Sequence, residues 1–321
     1  MHDQRSNPMP PKANPSSPLR YKLLDSNYFV TLYGTTPPRA DFDSERTQRA
    51  AVRLAKRTQS LKIDGFVIYD VQDESSRTQE PRPFPFLPTQ DSRGYSKLVR
   101  ELSGRETITY KCVAGKSEKE LDVWLDEAQS SYDVQVLSLV GSASSRFGRP
   151  GVSLMQAIER AHLRASLTVG GVVIPERHSS NRSESLKLIE KAAAGCSYFI
   201  SQAIYNPEPI IRLLKDYSLD CSASGMAPKR IMLTFTPCGI ERTMQFMKWL
   251  GIDIPADVAE TILSAPIPLN KSLSICSENL NRILDSAPHT VPLGLNIESV
   301  SIRKEEIEGS IELVEILQNA M

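Results

Sequence analysis

The sequence predicts an α/β protein of the (βα)8, TIM-barrel type. Three observations point there. Eight short runs rich in β-branched and aromatic residues are spread along the 321 residues. Segments of helical period separate them. Several of the runs are apolar throughout rather than alternating, as strands buried on both faces of a parallel sheet are.

The elements follow in order. Residues 1–22 read as a disordered tail, because Pro8, Pro10, Pro11, Pro15 and Pro18 stand among polar residues with little to pack. Residues 23–321 read as a single barrel domain. Its strands are expected at 28–33, 65–69, 107–112, 134–140, 168–174, 198–202, 230–235 and 291–297. Between the first three strands, helical period covers 44–61 and 95–102. After the third, Ser117-Glu118-Lys119-Glu120 is a capping box, in which the serine serves a free backbone N–H and Glu120 reaches back to the cap. Leu121, Trp124, Leu125 and Ala128 then form one apolar stripe. Further helices are expected at 153–163, 183–194, 209–217, 242–250 and 277–287, with extra helical material at 256–263. Ile307, Ile311, Val314 and Leu317 mark a closing helix. A doubly wound open sheet competes with the barrel, but no G-x-G-x-x-G follows the first strand.

Composition excludes several function classes. Lys plus Arg is 38 and Asp plus Glu is 38, a balance that speaks against a nucleic-acid-binding surface. The longest apolar runs, such as Gly170-Gly171-Val172-Val173-Ile174, fall far short of the ~20 residues of a membrane span, and the start has no apolar core of a signal peptide. The five cysteines (Cys112, Cys196, Cys221, Cys238 and Cys276) are odd in number, scattered and without a C-x-x-C pair. Free thiols in a reducing compartment follow, with neither a disulfide framework nor a metal site, and a cytoplasmic location is expected. A homo-oligomer is compatible with this composition.

In a barrel the site lies where the strands end. Strand one runs into Tyr33-Gly34-Thr35-Thr36-Pro37-Pro38. Strand two runs into Asp70, Asp73 and Glu74 and a long Pro-rich loop to about residue 92. Strand four ends in Val140-Gly141-Ser142, small enough to approach a phosphate. Strand five ends in Pro175-Glu176-Arg177-His178, and strand six in Gln202-Ala203-Ile204-Tyr205. From the residues alone, this is a barrel with a polar ligand at its mouth.

Several of these tracts resemble methylenetetrahydrofolate reductases. The run from Ala194 to Asn206, Ala-Gly-Cys-Ser-Tyr-Phe-Ile-Ser-Gln-Ala-Ile-Tyr-Asn, is similar to that family's AGADF-ITQ-FYD tract. Pro175-Glu176-Arg177-His178 resembles its PEGH, Leu137 to Ser142 its LALRGD, and Tyr33 to Pro38 its FEFFPP. The resemblance implies a flavin barrel in which NADH or NADPH reduces FAD and the flavin reduces a folate one-carbon unit. It implies that Gly141, Ser142, Glu176, His178, Glu184 and Lys191 line the FAD, and that Gln202 and Tyr205 touch substrate. The chain departs from the family in three places. Gly34 stands where the family has its acid glutamate, Val140-Gly141-Ser142 where it has Arg-Gly-Asp, and Ile174 where it has tyrosine. Asp70, Asp73 and Glu74 are the candidate substitutes for the acid. The departures leave two further readings: flavin-independent one-carbon or methyl transfer with a folate, or a non-catalytic folate-binding barrel.

Overall fold

Eight parallel strands close on themselves in sequence order. They are β1 (Val30–Thr35), β2 (Gly65–Ile68), β3 (Glu106–Cys112), β4 (Val136–Val140), β5 (Thr168–Val173), β6 (Tyr198–Ala203), β7 (Arg230–Phe235) and β8 (Leu293–Glu298), with β8 returning to pair with β1. The computed structural model describes residues 17–73, 78–141, 151–179 and 183–320. The expected (βα)8 barrel is therefore the fold. Around the strands, among the described residues, run α2 (Ser44–Thr58), α3 (Ser92–Ser103), α4 (Glu118–Ser130), α5 (Leu154–His162), α6 (Glu184–Ala193), α7 (Pro207–Ala223), α8 (Glu241–Trp249), α9 (Ala256–Leu263), α10 (Pro268–Ser286) and α11 (Lys304–Asn319). None of the described helices is long and apolar enough to cross a membrane.

Where helix boundaries differ from the sequence reading, capping explains the difference. The Asn206 side chain accepts from the Glu208 N–H at 3.1 Å, and Pro207 occupies the first turn, so α7 begins there rather than at 209. Pro268 starts α10 in the same way, well before 277, and the segment buries Ser272, Leu273, Ile275 and Cys276. The Ser117–Glu120 capping box forms as expected.

Alternation along the strands makes two apolar layers. Outward residues such as Phe66, Ile68, Leu137, Phe199 and Leu233 pack under the helices. Inward residues Val30, Leu32, Val67, Ile108, Tyr110, Val136, Tyr198, Ile200 and Met232 fill the barrel. Tyr198 fits only because β5 offers glycine beside it. A Cβ on Gly170 would stand 2.3 Å from the tyrosine ring.

The floor of the barrel is closed by a short helix, α1 (Leu19–Leu24), whose Leu19 and Leu23 join the interior cluster. The Arg230 side chain fastens it, donating to the carbonyls of Leu23, Asp25 and Leu293. Burial lowers the Arg230 guanidinium to about 10. Lys22 pairs with Asp64 at 2.9 Å, and Asp64 also accepts from Tyr28 Oη at 2.7 Å and the Thr31 N–H at 2.8 Å. Residues 19–22, read from composition as the end of a tail, are thus part of the folded domain.

Candidate functional site

The strand alternation that fills the barrel with apolar groups turns polar at the C-terminal end. On β8 the inward positions are Gly294, Asn296 and Glu298. The side chains facing them are Gly34 from β1, Tyr69 just after β2, Tyr110 from β3 and Thr234 from β7. Asn296 Nδ2 donates to Tyr69 Oη at 2.9 Å and to Thr234 Oγ1 at 3.2 Å. Its Oδ1 is buried and accepts from no group among the described residues. The Tyr69 hydroxyl also lies beside the Glu298 carboxylate and favours its charged form. Tyr69 meets Tyr110 edge-on, with ring centroids 4.8 Å apart, and Val140 and Val172 complete the apolar wall.

This network explains Gly34. In the β1–β8 ladder Gly34 lies opposite Glu298. A Cβ at Gly34 would stand 2.9 Å from both Cε2 and Oη of Tyr69, and 3.1 Å from the Glu298 Cβ. The place a strand-one side chain would take is filled by Tyr69 and Glu298. A carboxyl is therefore present at this level of the barrel, one strand over from where the sequence comparison put it. Glu298 is walled in by the barrel yet still touches solvent at the mouth. Burial raises its carboxyl to about 7, while the neighbouring Tyr69 hydroxyl, which favours the charged form, pulls the other way. Burial also pushes the Tyr69 and Tyr110 phenols up, so both are neutral donors. No lysine or arginine pairs with Glu298 among the described residues.

The other expected acids are occupied or elsewhere. Asp70 joins β2 to β3. Its Oδ2 accepts from the Cys112 N–H at 2.9 Å and lies 3.5 Å from Lys111 Nζ, and its Oδ1 accepts from Gln72 at 2.8 Å. Asp73 is exposed on the loop. Glu74 and Ser142 lie outside the described residues.

The residues expected to line a flavin divide into two groups. Gly141 is exposed at the end of β4. Glu176, in the 3-10 turn Pro175–Arg177, lies beside the Asp253 N–H and keeps a buried Oε2 with no hydrogen-bond partner among the described residues, and burial raises its carboxyl. The remaining three are drawn into the helix layer. His178 Nε2 bonds Asp216 Oδ2 of α7 at 2.7 Å. Glu184 is buried at the start of α6 and pairs with Lys187 at 2.5 Å. Lys191 Nζ donates to the Val172 carbonyl at 2.7 Å, and burial lowers its amine. His178 Nε2 and the Glu184 carboxylate are engaged inside the helix layer and Lys191 Nζ with the β5 backbone, so none of these three charged or ionisable groups is free to hold a flavin.

Of the two residues expected to touch substrate, Gln202 stays near the mouth, where Nε2 donates to the Leu250 carbonyl at 3.0 Å. Glu176 and Gln202 thus both lean on the turn 250–253, which Asn206 also grips through Asp253 at 2.7 Å. Tyr205 faces the other way. It is fully buried, donates to the Thr236 carbonyl at 2.7 Å, and sits against α10, whose Asn279 bonds its carbonyl at 3.0 Å. It belongs to the core rather than the site.

The loop after β2 borders the mouth. Its far end pairs with the strand-one loop, Ala40 N–H to Pro88 O at 2.8 Å and Gln90 N–H to Pro38 O at 2.9 Å. Its middle reaches past the ends of β1 and β8 to α8. There Trp249 Nε1 donates to Glu80 O at 3.1 Å, Arg242 donates to Pro83 O at 2.7 Å, and the Arg82 guanidinium lies 4.9 Å from the Phe246 ring.

Sequence reasoning missed Asn296 and Glu298. The signal was present in Gly294-Leu295-Asn296-Ile297-Glu298, where every second residue is apolar and the intervening ones are small or polar.

A solved Clostridium thermocellum protein, described as binding two copies of 5-methyl-5,6,7,8-tetrahydrofolic acid, matches 94% of this chain and 100% of its own at 33% identity, with a TM-score of 0.80. A 2,3-dimethylmalate lyase of the PEP mutase/isocitrate lyase superfamily matches 76% of this chain and 79% of its own at 13% identity, with a TM-score of 0.46, too distant to speak to the chemistry. No protein-family model and no curated protein matches the chain.

Proposed function

The chain belongs to the family of the Clostridium thermocellum barrel, and on that premise we propose that it binds a reduced folate at the C-terminal mouth of its strands and acts on the one-carbon unit at N5 without a flavin. The observation that carries the reading is that 33% identity, which extends over 94% of this chain to a protein described as holding 5-methyltetrahydrofolate. The mouth suits such a ligand. A reduced pterin keeps a flat pyrimidine ring with N–H donors along one edge. Tyr69, Tyr110, Val140 and Val172 offer an apolar bed. The unpartnered acceptors Asn296 Oδ1 and Glu176 Oε2 offer places for N–H groups that would otherwise remain unsatisfied.

The likeness to methylenetetrahydrofolate reductases, carried by the tract from Ala194 to Asn206, supports the same substrate class. Its flavin and NAD(P)H half has less behind it, because His178, Glu184 and Lys191 are engaged with Asp216, Lys187 and the Val172 carbonyl. Titration calorimetry with 5-methyltetrahydrofolate, alongside visible absorption after adding FAD and NADH, tests both halves. Folate binding with no flavin spectrum is expected. A stoichiometric FAD spectrum bleached by NADH would overturn the flavin-independent half. Absence of folate binding would overturn the whole reading.

A further inference from the structure

The acceptor offered to the ligand is shut away. Asn296 is fully buried, Thr234 and Tyr110 are nearly so, and Asn296 Oδ1 is out of reach of solvent. A ligand gets to it only if part of the mouth moves. The loop after β2 has the build of a part that does.

Every one of residues 78–90 is half-buried or exposed. The segment adds no side chain to the core, so its place is kept by contacts at two points. The first is its root. Beside the backbone bonds that tie Pro88 and Gln90 to the strand-one loop, the Gln90 side chain donates to Phe42 O at 3.1 Å and to Thr47 Oγ1 at 2.8 Å. The second is its tip, which rests on α8. Trp249 Nε1 donates to Glu80 O, Arg242 donates to Pro83 O from both Nε and Nη2, and Phe84 meets Phe246 edge-on with ring centroids 5.3 Å apart. The Arg82 guanidinium lies over two rings of α8, 4.9 Å from Phe246 and 5.3 Å from Trp249, and its Nη1 donates to Phe84 O at 2.8 Å. Pro81, Pro83, Pro85 and Pro88 stiffen the span, so it swings rather than unravels.

The helix under the tip belongs to the mouth. α8 follows the end of β7 and runs directly into the turn 250–253, which Gln202 and Asn206 of the β6 side hold. A loop that starts at β2 and is fastened on α8 therefore spans the ends of β1 and β8.

We propose that residues 79–87 are a flap that closes the mouth, and that Arg82 is the latch whose release admits and frees the ligand. The proposal rests on the reduced-folate reading above and deepens it by naming what controls access to that site. The contacts of Arg82 suit a latch. A guanidinium over two aromatic faces holds better than a single exposed ion pair, yet it lets go without stranding a buried charge, because Arg82 is half-exposed and water solvates it when the flap lifts.

The test is stopped-flow binding of 5-methyltetrahydrofolate to the full chain, on wild type and Arg82→Met, which keeps an apolar stem and removes the guanidinium. The latch is closed in free and bound protein alike. Association and dissociation rates are therefore both expected to rise about tenfold, with Kd held within about twofold. Trp249→Phe keeps a ring under Arg82 but loses the bond to Glu80 O, and is expected to raise both rates about threefold. Trp249 also reports the flap with no ligand present. Acrylamide quenching of its fluorescence, in a Trp124→Phe background that leaves it the sole tryptophan, is expected to rise about twofold or more in Arg82→Met. The difference between wild type and Arg82→Met in the two-tryptophan chain reads the same change without that background. Unchanged rates would overturn the proposal, because the flap is then no barrier. Faster dissociation alone, with weaker affinity, would overturn it too, because Arg82 is then only part of the binding wall; both outcomes leave folate binding intact. Equal quenching in wild type and Arg82→Met would overturn the latch whether or not a ligand binds. Failure of wild type to bind 5-methyltetrahydrofolate would overturn the reduced-folate reading, and the quenching would then decide the latch by itself.

Discussion

Replacing Glu298 with glutamine exposes the cost of keeping a carboxyl where no cation answers it. In the unfolded chain the carboxyl titrates near 4.5, and in the folded barrel near 7. Below 4.5 both states are protonated, and the residue does not favour one over the other. Between 4.5 and 7 the unfolded chain ionises while the native one does not, so stability falls as pH rises, and above 7 the loss is complete. At about 1.4 kcal/mol per pH unit, the rise from 4.5 to about 7 makes about 3 kcal/mol, an upper bound because the carboxyl also reaches water at the mouth. Glutamine keeps the shape and carries no charge at any pH. Urea unfolding of both proteins from pH 4 to pH 8 therefore compares like with like. The two are expected to be nearly equal at pH 4, with the variant more stable by up to about 3 kcal/mol at pH 8. A difference independent of pH, or a variant less stable at pH 8, would refute the reasoning, because it would mean the carboxylate finds a compensating partner.

Three further outcomes follow from packing and burial. Gly34→Ala places a methyl 2.9 Å from Tyr69 and 3.1 Å from the Glu298 Cβ, and is expected to cost roughly 1–3 kcal/mol in urea unfolding and to weaken folate binding; an unchanged protein would show that Tyr69 moves freely. Arg230→Met strips the bonds from the carbonyls of Leu23, Asp25 and Leu293 and is expected to cost roughly 3 kcal/mol by the same measurement, with a loss under about 1 kcal/mol showing that α1 does not depend on this anchor. All five cysteines are buried, and burial raises Cys196, Cys238 and Cys276 to about 12, so a chromogenic thiol reagent is expected to react slowly with the native protein and with five thiols once it unfolds. A rapid native reaction of one thiol would contradict that burial.

The strands were legible because a barrel strand is buried on both sides, and apolar runs such as Ile231-Met232-Leu233 record that directly. The floor was not. Prolines among residues 8–18 set the character of the N-terminal segment, and the value of Leu19 and Leu23 depends on a space enclosed by distant strands and on Arg230, some 200 residues away. The candidate site was legible in outline, as the ends of strands, and less so in detail for two physical reasons. Spacing along the chain says little about which way a side chain turns once helix and strand pack: His178 and Glu184 bond Asp216 on α7 and Lys187 on α6, Lys191 bonds the Val172 carbonyl of β5, and Tyr205 donates to the Thr236 carbonyl in the core. An acid was sought on the strand that had lost one, or in the charged loop after β2. Ending the last strand at Ile297 left Glu298 outside it, although β1 and β8 are neighbours once the barrel closes. Closure makes the first and last strands one local environment, and a linear reading does not reveal that.

The most direct test of the central claim is a crystal structure of the full chain with 5-methyltetrahydrofolate. The account predicts the pterin ring in the mouth between Tyr69 and Val172, with a ring N–H on Asn296 Oδ1. Ligand bound only away from these residues, or a flavin recovered in this place instead, would contradict it.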